Sequence, residues 1–400
     1  MDPDEASASD TGIDSDTHQR ELSRRALLRV GITLPALALP LAVACSGGHS
    51  NARRSGQAGT PSTWPEATTT EPLGPGGSGQ TVTFAFAGDV HFVDQTDTEA
   101  GAISSGMPVL ADRVRADPTT VLAAIAPVLS AADLAMVNLE TAVTERGQPV
   151  PGKNFHFRSP PESFIALKSA GVDVVNMANN HALDYGRTGM ADTFAAIAAA
   201  KIPVTGIGHD AAEAYRPYRT KIKGQRIAIL SATDWLEPEL VSSWSATETQ
   251  PGLAFSIDRT RLLTAVRDVR PRVDTLIVFL HWGTEDTWCA SAEQQDLAAA
   301  LLGAGADIIV GSHTHRVFGA GKVGPALVAY GLGNFVYWRE DGESGRSGVL
   351  LVTATGREVD DYSWVPARLS NGVARPLTGD AAATDQAEWQ ARRSCSGLLP

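Results

Sequence analysis

The stretch TLIVFLHWG occupies residues 275–283, and the stretch IIVGSHTH occupies residues 308–315. In each, an apolar run rich in β-branched and aromatic residues ends in one or two histidines. An apolar run of this kind predicts a buried strand. In α/β folds, ligands bind at the carboxyl ends of such strands. The two stretches therefore predict a histidine-containing site at one edge of a sheet.

Three further apolar runs end in polar side chains of the same kinds. The runs are 82–87, 134–137 and 172–177, and the side chains that follow them are Asp89, His91, Asn138, Glu140, Asn180 and His181. Runs with the residue pattern of helices lie at 119–131, 162–170, 190–200, 259–269 and 292–302. This alternation predicts an α/β fold. A hairpin is predicted at Lys223-Gly224-Gln225-Arg226. Asn334, in the sequence GNF at 333–335, is a polar residue in a sixth segment of this kind.

The side chains at these strand ends suit metal ions. Aspartate, glutamate, asparagine and histidine together favour borderline-hard divalent ions over a thiolate site. Asp89 and His91 are alternate residues after a strand, so both would project from one face. Glu140 is the carboxylate expected between two ions, because a shared anion offsets the repulsion of cations about 3.5–4 Å apart. Each motif alone has a structural alternative: a capping Asp89, an exposed Glu140, a polar turn at 178–181 or a structural His281.

The first residues of the chain indicate export. Arg24-Arg25 is part of a twin-arginine pattern, and an apolar run at 30–44 follows it. About 20 apolar residues are needed to cross a bilayer, and this run is shorter. Residues 1–44 are therefore predicted to be a signal peptide rather than a membrane span.

Cys45 ends a segment that is similar to a lipoprotein cleavage box, which predicts a lipid anchor at Cys45. The alternatives are an ordinary signal cut near Ala44 and an uncleaved tether. Residues 45–80 are rich in Gly, Ser, Thr and Pro and are predicted to be a flexible tether. Residues 81–400 are predicted to form one domain.

Charge and cysteine content exclude some classes of protein. The formal net charge of -12 argues against broad nucleic-acid binding, which needs a basic face. The sequence GAGK at 319–322 lacks the flanking residues of a phosphate-binding P-loop, which argues against an ATP-driven ligase of that type. Cys289 and Cys395 would form a disulfide in an oxidising compartment, and two unpaired buried thiols are the alternative.

The motifs together resemble the CapA family of bacterial poly-γ-glutamate capsule synthesis proteins, whose fold is similar to that of calcineurin-like metallophosphoesterases. The phrases that carry the resemblance are AGD at 87–89, NLE at 138–140, ANNHALDYG at 178–186, LHWG at 280–283, GAGAD at 303–307, GSHTH at 311–315 and GLGNF at 331–335. They cover nearly all of residues 81–340. As a set they are specific, although each alone is not.

The resemblance implies an α/β fold, a four-layer αββα sandwich, and a site for two divalent ions, with Mn, Fe or Zn suited to it. It implies that Asp89, His91 and His315 hold one ion and that Asn180, His281 and His313 hold the other. Glu140 takes the bridging place. His181 is the expected catalytic acid or oxyanion-stabilising residue. Asn138, Asp184 and Asn334 are expected to orient ligands or contact substrate.

The resulting expectation is a metal-dependent hydrolase on the outer face of the cytoplasmic membrane. It would act in the synthesis or processing of a capsule, poly-γ-glutamate or a related anionic polymer, beside polymer synthase or export proteins. One alternative is a non-catalytic polymer-binding accessory of capsule export. Another is a general extracytoplasmic metallophosphoesterase that acts on phosphoesters. Trp235 and Trp244 are predicted to pack in the core, and a position lining a cleft is the alternative.

Overall fold

The computed structural model describes residues 77–93, 110–257 and 259–398. The predicted signal peptide, Cys45 and residues 45–76 of the predicted tether lie outside these ranges. The strands are β1 Val82–Val90, β2 Leu134–Leu139, β3 Ala142–Val143, β4 Arg158–Ser159, β5 Val174–Asn176, β6 Val204–Thr205, β7 Ile207–Gly208, β8 Tyr218–Ile222, β9 Gln225–Thr233, β10 Gly252–Leu253, β11 Thr275–His281, β12 Ile308–Ser312, β13 Ala320–Val323, β14 Ala326–Ala329, β15 Asn334–Val336, β16 Arg346–Thr355, β17 Glu358–Ser370 and β18 Val373–Pro376.

Helices alternate with the strands through most of the described chain. They are α1 Leu110–Ala116, α2 Ala126–Leu129, α3 Ser163–Ser169, α4 Gly186–Ala200, α5 Ala211–Ala214, α6 Val241–Trp244, α7 Arg259–Val269, α8 Ala292–Ala304 and α9 Gly379–Ala391. Short 3-10 helices cover Arg270–Arg272 and Arg392–Ser396. No helix within the described ranges is both long enough and apolar enough to cross a bilayer.

Two large sheets organise these elements. One has eight strands in the order β15-β18-β17-β16-β1-β2-β5-β6, with β15 also paired to β1. The other has six strands in the order β13-β14-β12-β11-β9-β8. Strands β1, β2, β5 and β6 are parallel in the first sheet, as are β9, β11, β12 and β14 in the second. Parallel strands bring their carboxyl ends to one edge of each sheet, where the polar motifs lie.

Alternation along the strands sorts the core into layers. Phe84 and Phe86 of β1 pack in one cluster with Ile277 and Phe279 of β11, which fills the space between the two sheets. The intervening residues of β1 face a second cluster that includes Phe164 and Leu167 of α3 and Met190 of α4. Those of β11 face a third cluster with side chains of α7 and α8. Helices therefore cover the outer face of each sheet, which confirms the four-layer αββα arrangement.

The structure refines two local predictions. The predicted hairpin forms between β8 and β9, with φ values of 48° at Lys223 and 84° at Gly224, as a tight two-residue turn requires. The predicted helix at 119–131 is reduced to α2. Thr119 donates its backbone and hydroxyl hydrogens to Asp117, so this part of the chain forms turns instead.

Cys289 and Cys395 are joined in a disulfide. Of the two states that the sequence left open, the structure has the bonded one. The bond links the loop after β11 to the 3-10 helix that follows α9. The loop that continues from His281 is therefore covalently fastened to the last described segment of the chain.

Candidate metal centre

Strand pairing brings the predicted polar residues together. Asp89 lies in register with Asn138 on β2 and with Asn334 on β15. In the other sheet, His281 ends β11 in register with Ser312, the last residue of β12. His281 Nδ1 lies 3.9 Å from Asp89 Oδ1. Both sheets therefore contribute to one site.

Two groups of metal-ligand side chains form at this edge. One consists of Glu140, His281 and His313, and the other of Asp89, Glu140 and His315. In each group the candidate ligand atoms lie within 4.8 Å of one another. Glu140 belongs to both groups, so its carboxylate is placed to contact a cation in either of them.

Glu140 is buried without hydrogen bonds. It has no solvent exposure, and within the described part of the chain neither of its oxygens accepts a hydrogen bond. Oε1 lies 3.2 Å from His281 Nε2. Burial, and then the charge of Asp89, raise the pKa of the Glu140 carboxyl. Because a buried carboxylate without donors is costly unless a cation compensates it, this position fits a metal ligand.

His281 is held on both sides of its ring. Nε2 lies 2.8 Å from Oδ1 of Asn180, and Nδ1 lies 3.0 Å from Oγ of Ser312. Asn138 Nδ2 is also 3.2 Å from Nδ1. These contacts fix the ring with Nε2 toward Glu140 and Asn180. Asn180 therefore joins the group that contains His281, and its amide oxygen is a suitable ligand for a divalent ion.

His313 presents a nitrogen that has no protein partner in the described ranges. Its Nδ1 is buried and makes no hydrogen bond there. Burial, and then the charges of His281 and His315, hold the pKa of His313 well below its usual value. The ring is therefore neutral, which is the form that binds metals. The partly exposed indole of Trp235 stacks on this ring with 5.8 Å between centroids.

Asp89 and His315 form the other side of the site. Asp89 Oδ2 lies 3.4 Å from His315 Nδ1, and its Oδ1 accepts a 2.7 Å hydrogen bond from Asn138. Asn334 Oδ1 lies 2.8 Å from the same His315 nitrogen. Burial acts to lower the pKa of His315, but the charge of Glu140 and the contact with Asp89 raise it to about 10. Two buried carboxylates thus create a strong preference for positive charge here.

The backbone around the site is locally strained. His313 and His315 have φ values of 93° and 54°, a region that costs non-glycine residues about 1–3 kcal/mol each. Gly88 allows a different close approach. A Cβ atom at residue 88 would lie 1.8 Å from the carbonyl oxygen of Gly333, so only glycine lets β1 meet the β15 segment here.

His91 lies beside the two groups and belongs to neither. Its ring is fully buried, and both ring nitrogens lack hydrogen-bond partners among the described residues. It packs against Phe157 and Tyr337, with centroid distances of 4.5 and 4.3 Å. Burial, and then the charges of His181 and His315, hold its pKa well below the usual value. The chemistry of the ring suits a ligand, and its assignment as one stays a prediction.

His181 forms a dyad with Asp184. Nδ1 of His181 lies 2.6 Å from Oδ2 of Asp184, which also accepts a 2.6 Å hydrogen bond from the backbone of Phe157. Burial raises the pKa of Asp184 to about 6, although the charge of Lys153 opposes that rise. The carboxylate holds the His181 ring by Nδ1 and leaves Nε2 as the nitrogen that can exchange a proton with a substrate.

Sequence reasoning missed Lys153 and favoured core packing over a cleft position for Trp235. Lys153 Nζ lies 2.8 Å from Asp184 Oδ1, the carboxylate oxygen that does not contact His181. It lies in a loop without a motif, so no spacing rule points to it. Trp244 is buried, as predicted, whereas Trp235 has the alternative position: it is partly exposed and borders His313. Trp235 lies two residues after the end of β9. Because the ends of the other strands carry site residues, this position could have indicated that Trp235 borders the site.

The family described as bacterial capsule synthesis protein PGA_cap matches residues 83–338. This match covers more than half of the chain and contains every candidate ligand named above. The chain belongs to the PGA_cap family. The sequence resemblance to capsule synthesis proteins is thereby confirmed.

Curated relatives carry corresponding names. The capsule biosynthesis protein CapA of Bacillus anthracis is 31% identical over 264 residues, which are 64% of this chain and 62% of that protein. The PGA biosynthesis protein CapA of Bacillus subtilis is 32% identical over 217 residues, or 53% of this chain and 55% of that protein. A probable polyglutamine synthesis accessory protein of Mycobacterium tuberculosis is 30% identical and spans 47% and 51% of the two chains. The chain thus spans less than two thirds of the length of each.

Solved structures show a weaker likeness. A hypothetical protein from Thermus thermophilus has a TM-score of 0.43 at 16% identity, covering 72% of this chain and 100% of that one. A 5'-nucleotidase from Candida albicans has a TM-score of 0.41 at 10% identity, covering 78% and 57%. The layered fold described above rests on the sheets and core of this chain alone.

Proposed function

We propose that this chain is a two-metal hydrolase that acts on an anionic cell-surface polymer. The observation that carries the proposal is Glu140, a buried carboxylate shared by two groups of ligand side chains and free of hydrogen bonds in the described structure. Such a carboxylate is stabilised by a cation on either side of it.

The residues of the site fit divalent ions. Glu140 with Asn180, His281 and His313 would hold one ion, and Glu140 with Asp89, His315 and His91 would hold the other. The neutral rings of His91 and His313 and the unsatisfied oxygens of Glu140 support this assignment. Bound divalent ions would supply Lewis-acid activation of water and neutralise negative charge on the substrate. The oxygen and nitrogen donors suit Mn, Fe or Zn.

The protein side chains then have separate tasks. Asp184 holds the His181 ring through the Nδ1 proton. His181 Nε2, which is unprotonated in the neutral ring, would take a proton from the attacking water and pass it to the leaving group. For a γ-glutamyl amide, water adds across the C–N bond, giving a carboxylate and an amine. Nine-tenths or more of the surface of His181 is buried, which limits the access of bulk water to this proton.

Family membership and charge support the proposed substrate class. PGA_cap proteins are described as capsule synthesis proteins, and two relatives are named for capsule or PGA biosynthesis. Poly-γ-glutamate carries a carboxylate on every residue. A site with two cations attracts such a polymer although the chain itself has a net charge of -12.

A non-catalytic role in the same process is the second candidate. It is favoured by one observation, the naming of a 30% identical relative as a probable synthesis accessory protein. In that role the two ions would bind polymer carboxylates without turnover. A polymer synthase or export protein would then be the catalytic partner.

We further propose that the chain is exported through its twin-arginine segment and anchored by lipid at Cys45. A Cys45→Ser variant should then move from the membrane fraction to the soluble extracytoplasmic fraction. Retention of this variant in the membrane would contradict the anchor at Cys45.

The hydrolase proposal is tested with the purified full chain loaded in turn with Mn, Fe and Zn. The substrates are poly-γ-glutamate, bis(p-nitrophenyl) phosphate and p-nitrophenyl phosphate, with new amine groups or nitrophenol as the readout. We expect cleavage of poly-γ-glutamate and a loss of about 100- to 10,000-fold in kcat for His181→Ala. His209→Ala, which changes an exposed histidine paired with Glu213, is the matched control.

The outcomes separate the candidates. Binding of poly-γ-glutamate by the metal-loaded chain without cleavage would replace the hydrolase by the accessory role. Cleavage of the phosphoesters alone would replace it by a general phosphoesterase.

A further inference from the structure

Lys153 is a buried cation that contacts Asp184, the carboxylate of the His181–Asp184 dyad. Its side chain is 1% exposed, although it belongs to a loop whose neighbours Gly152 and Asn154 are exposed. Burying an ammonium group is costly unless it is paired and hydrogen-bonded. The partners of Lys153 therefore indicate its task.

Those partners lie on two separate loops. Lys153 Nζ is 2.8 Å from Oδ1 of Asp184 and donates to the backbone oxygen of Asn180. It is also 3.1 Å from Oε1 of Glu237, which lies in the loop after β9. The Trp244 ring packs against the ammonium group, with 5.0 Å between Nζ and the ring centroid. The ammonium group is thus paired with two carboxylates and hydrogen-bonded to one backbone oxygen, which restrains its position.

The contact with Asp184 completes the environment of that carboxylate. Oδ2 is used by His181 Nδ1 and by the Phe157 backbone, and Oδ1 is used by Lys153. The contacts at Oδ2 and the ion pair at Oδ1 together restrain rotation of the carboxylate away from the imidazole. The ring of His181 is also fixed by Phe157, whose ring stacks on it with centroids 4.0 Å apart.

We propose that Lys153 is a positioning residue that aligns His181 through Asp184 and so keeps the His181 proton on Nδ1 and Nε2 toward the substrate. The proposal deepens the proposed hydrolase function and rests on it for its role in turnover. Its structural part, the control of the His181 tautomer, does not depend on turnover. The contact of Lys153 with Asn180 adds a link to a candidate metal ligand, so metal content must be measured beside every other effect.

The first test reads the tautomer directly. Nitrogen-15 NMR of histidine-labelled, metal-free full chain should show His181 protonated at Nδ1, with the signal assigned by its loss in His181→Gln. In Lys153→Met we expect this signal to move toward a mixture of tautomers. Lys168→Met, which removes an exposed lysine that donates to the Ala200 carbonyl oxygen, should leave it unchanged.

A second variant separates a change of tautomer from a loss of folding. Lys153→Met leaves two buried or half-buried acids without their cation, whereas Lys153→Met with Glu237→Gln removes one charge of each sign. Folding of each variant is checked by thermal unfolding. An unchanged His181 tautomer in a folded variant would overturn the proposal.

The second test uses the substrate that the wild-type chain cleaves fastest in the panel above. We expect Lys153→Met to lower kcat at least about ten-fold, a part of what general acid–base catalysis contributes, with unchanged KM and metal content. Combined with His181→Ala, it should lower kcat no further than His181→Ala does alone, because both changes remove one function. Additive losses would mean that Lys153 does not act through His181. If wild type cleaves no substrate, the hydrolase proposal fails, and the tautomer measurement still decides the role of Lys153.

Discussion

At the scale of single residues, Asn138 shows how the site is built from its surroundings. Its Nδ2 donates to Asp89, and its Oδ1 accepts from Asn176 and Asn179 at 2.8 and 3.1 Å. Every one of these groups is buried. Asn138 thus orients a candidate ligand while it satisfies two other buried amides.

Asn138→Ala should therefore weaken metal binding. Loss of a side chain that orients a ligand lowers metal affinity by about 10- to 100-fold. The buried partners left unsatisfied should also cost about 1–3 kcal/mol of stability. Calorimetric metal titration and denaturant unfolding measure the two effects, with the exposed Asn154→Ala as control. Wild-type affinity in Asn138→Ala would contradict this role.

His91 allows a sharp test of ligand assignment. His91→Phe keeps an aromatic ring against Phe157 and Tyr337 but removes both nitrogens. If His91 is a ligand, the variant should lose one of the two ions while its thermal stability without metal stays close to wild type. Elemental mass spectrometry gives the ion count. Two retained ions would show that His91 is only a packing residue.

At the scale of elements, the disulfide connects a site loop to the end of the described chain. Asp286, in the loop that contains Cys289, donates its backbone hydrogen to the carbonyl oxygen of Thr314, which lies between the two candidate ligand histidines. The disulfide also closes a segment whose ends are 106 residues apart. A cross-link over such a length restricts the unfolded chain strongly.

Replacing Cys289 and Cys395 by serine should lower the free energy of unfolding by about 2–5 kcal/mol. Denaturant unfolding with and without reductant measures this. Reductant should destabilise the wild type and leave the double serine variant unchanged. Equal stability of the two proteins under oxidising conditions would contradict a stabilising disulfide.

The elements also show what sequence patterns can predict. Long apolar runs such as those of β1 and β11 were identified because burial on both faces leaves a continuous signal. The helix predicted at 119–131 failed over most of its length because Asp117 captures the Thr119 and Thr120 groups in turns. Such local competition is decided by one or two hydrogen bonds and leaves little trace in an apolar pattern.

At the scale of the whole molecule, the sequence predicted which residues converge but not how they contact one another. Parallel strands with polar ends place Asp89 and Glu140 at one edge of the first sheet and His281 at one edge of the second by topology alone, and the packing of the two sheets brings these edges together. The pairing of β15 with β1, which brings Asn334 beside Asp89, depends on the path of the later strands. Lys153 reaches Asp184 from a loop, and only the packing of three loops places it there.

The central claim is that Glu140 is shared by two metal ions, and ion stoichiometry tests it most directly. Elemental mass spectrometry of the purified full chain, supplied with Mn, Fe and Zn, should give about two divalent ions per chain. Glu140→Gln should lower that number sharply, whereas Glu248→Gln, at an exposed carboxylate, should keep it. A chain that binds no metal, or an unchanged count in Glu140→Gln, would contradict the account.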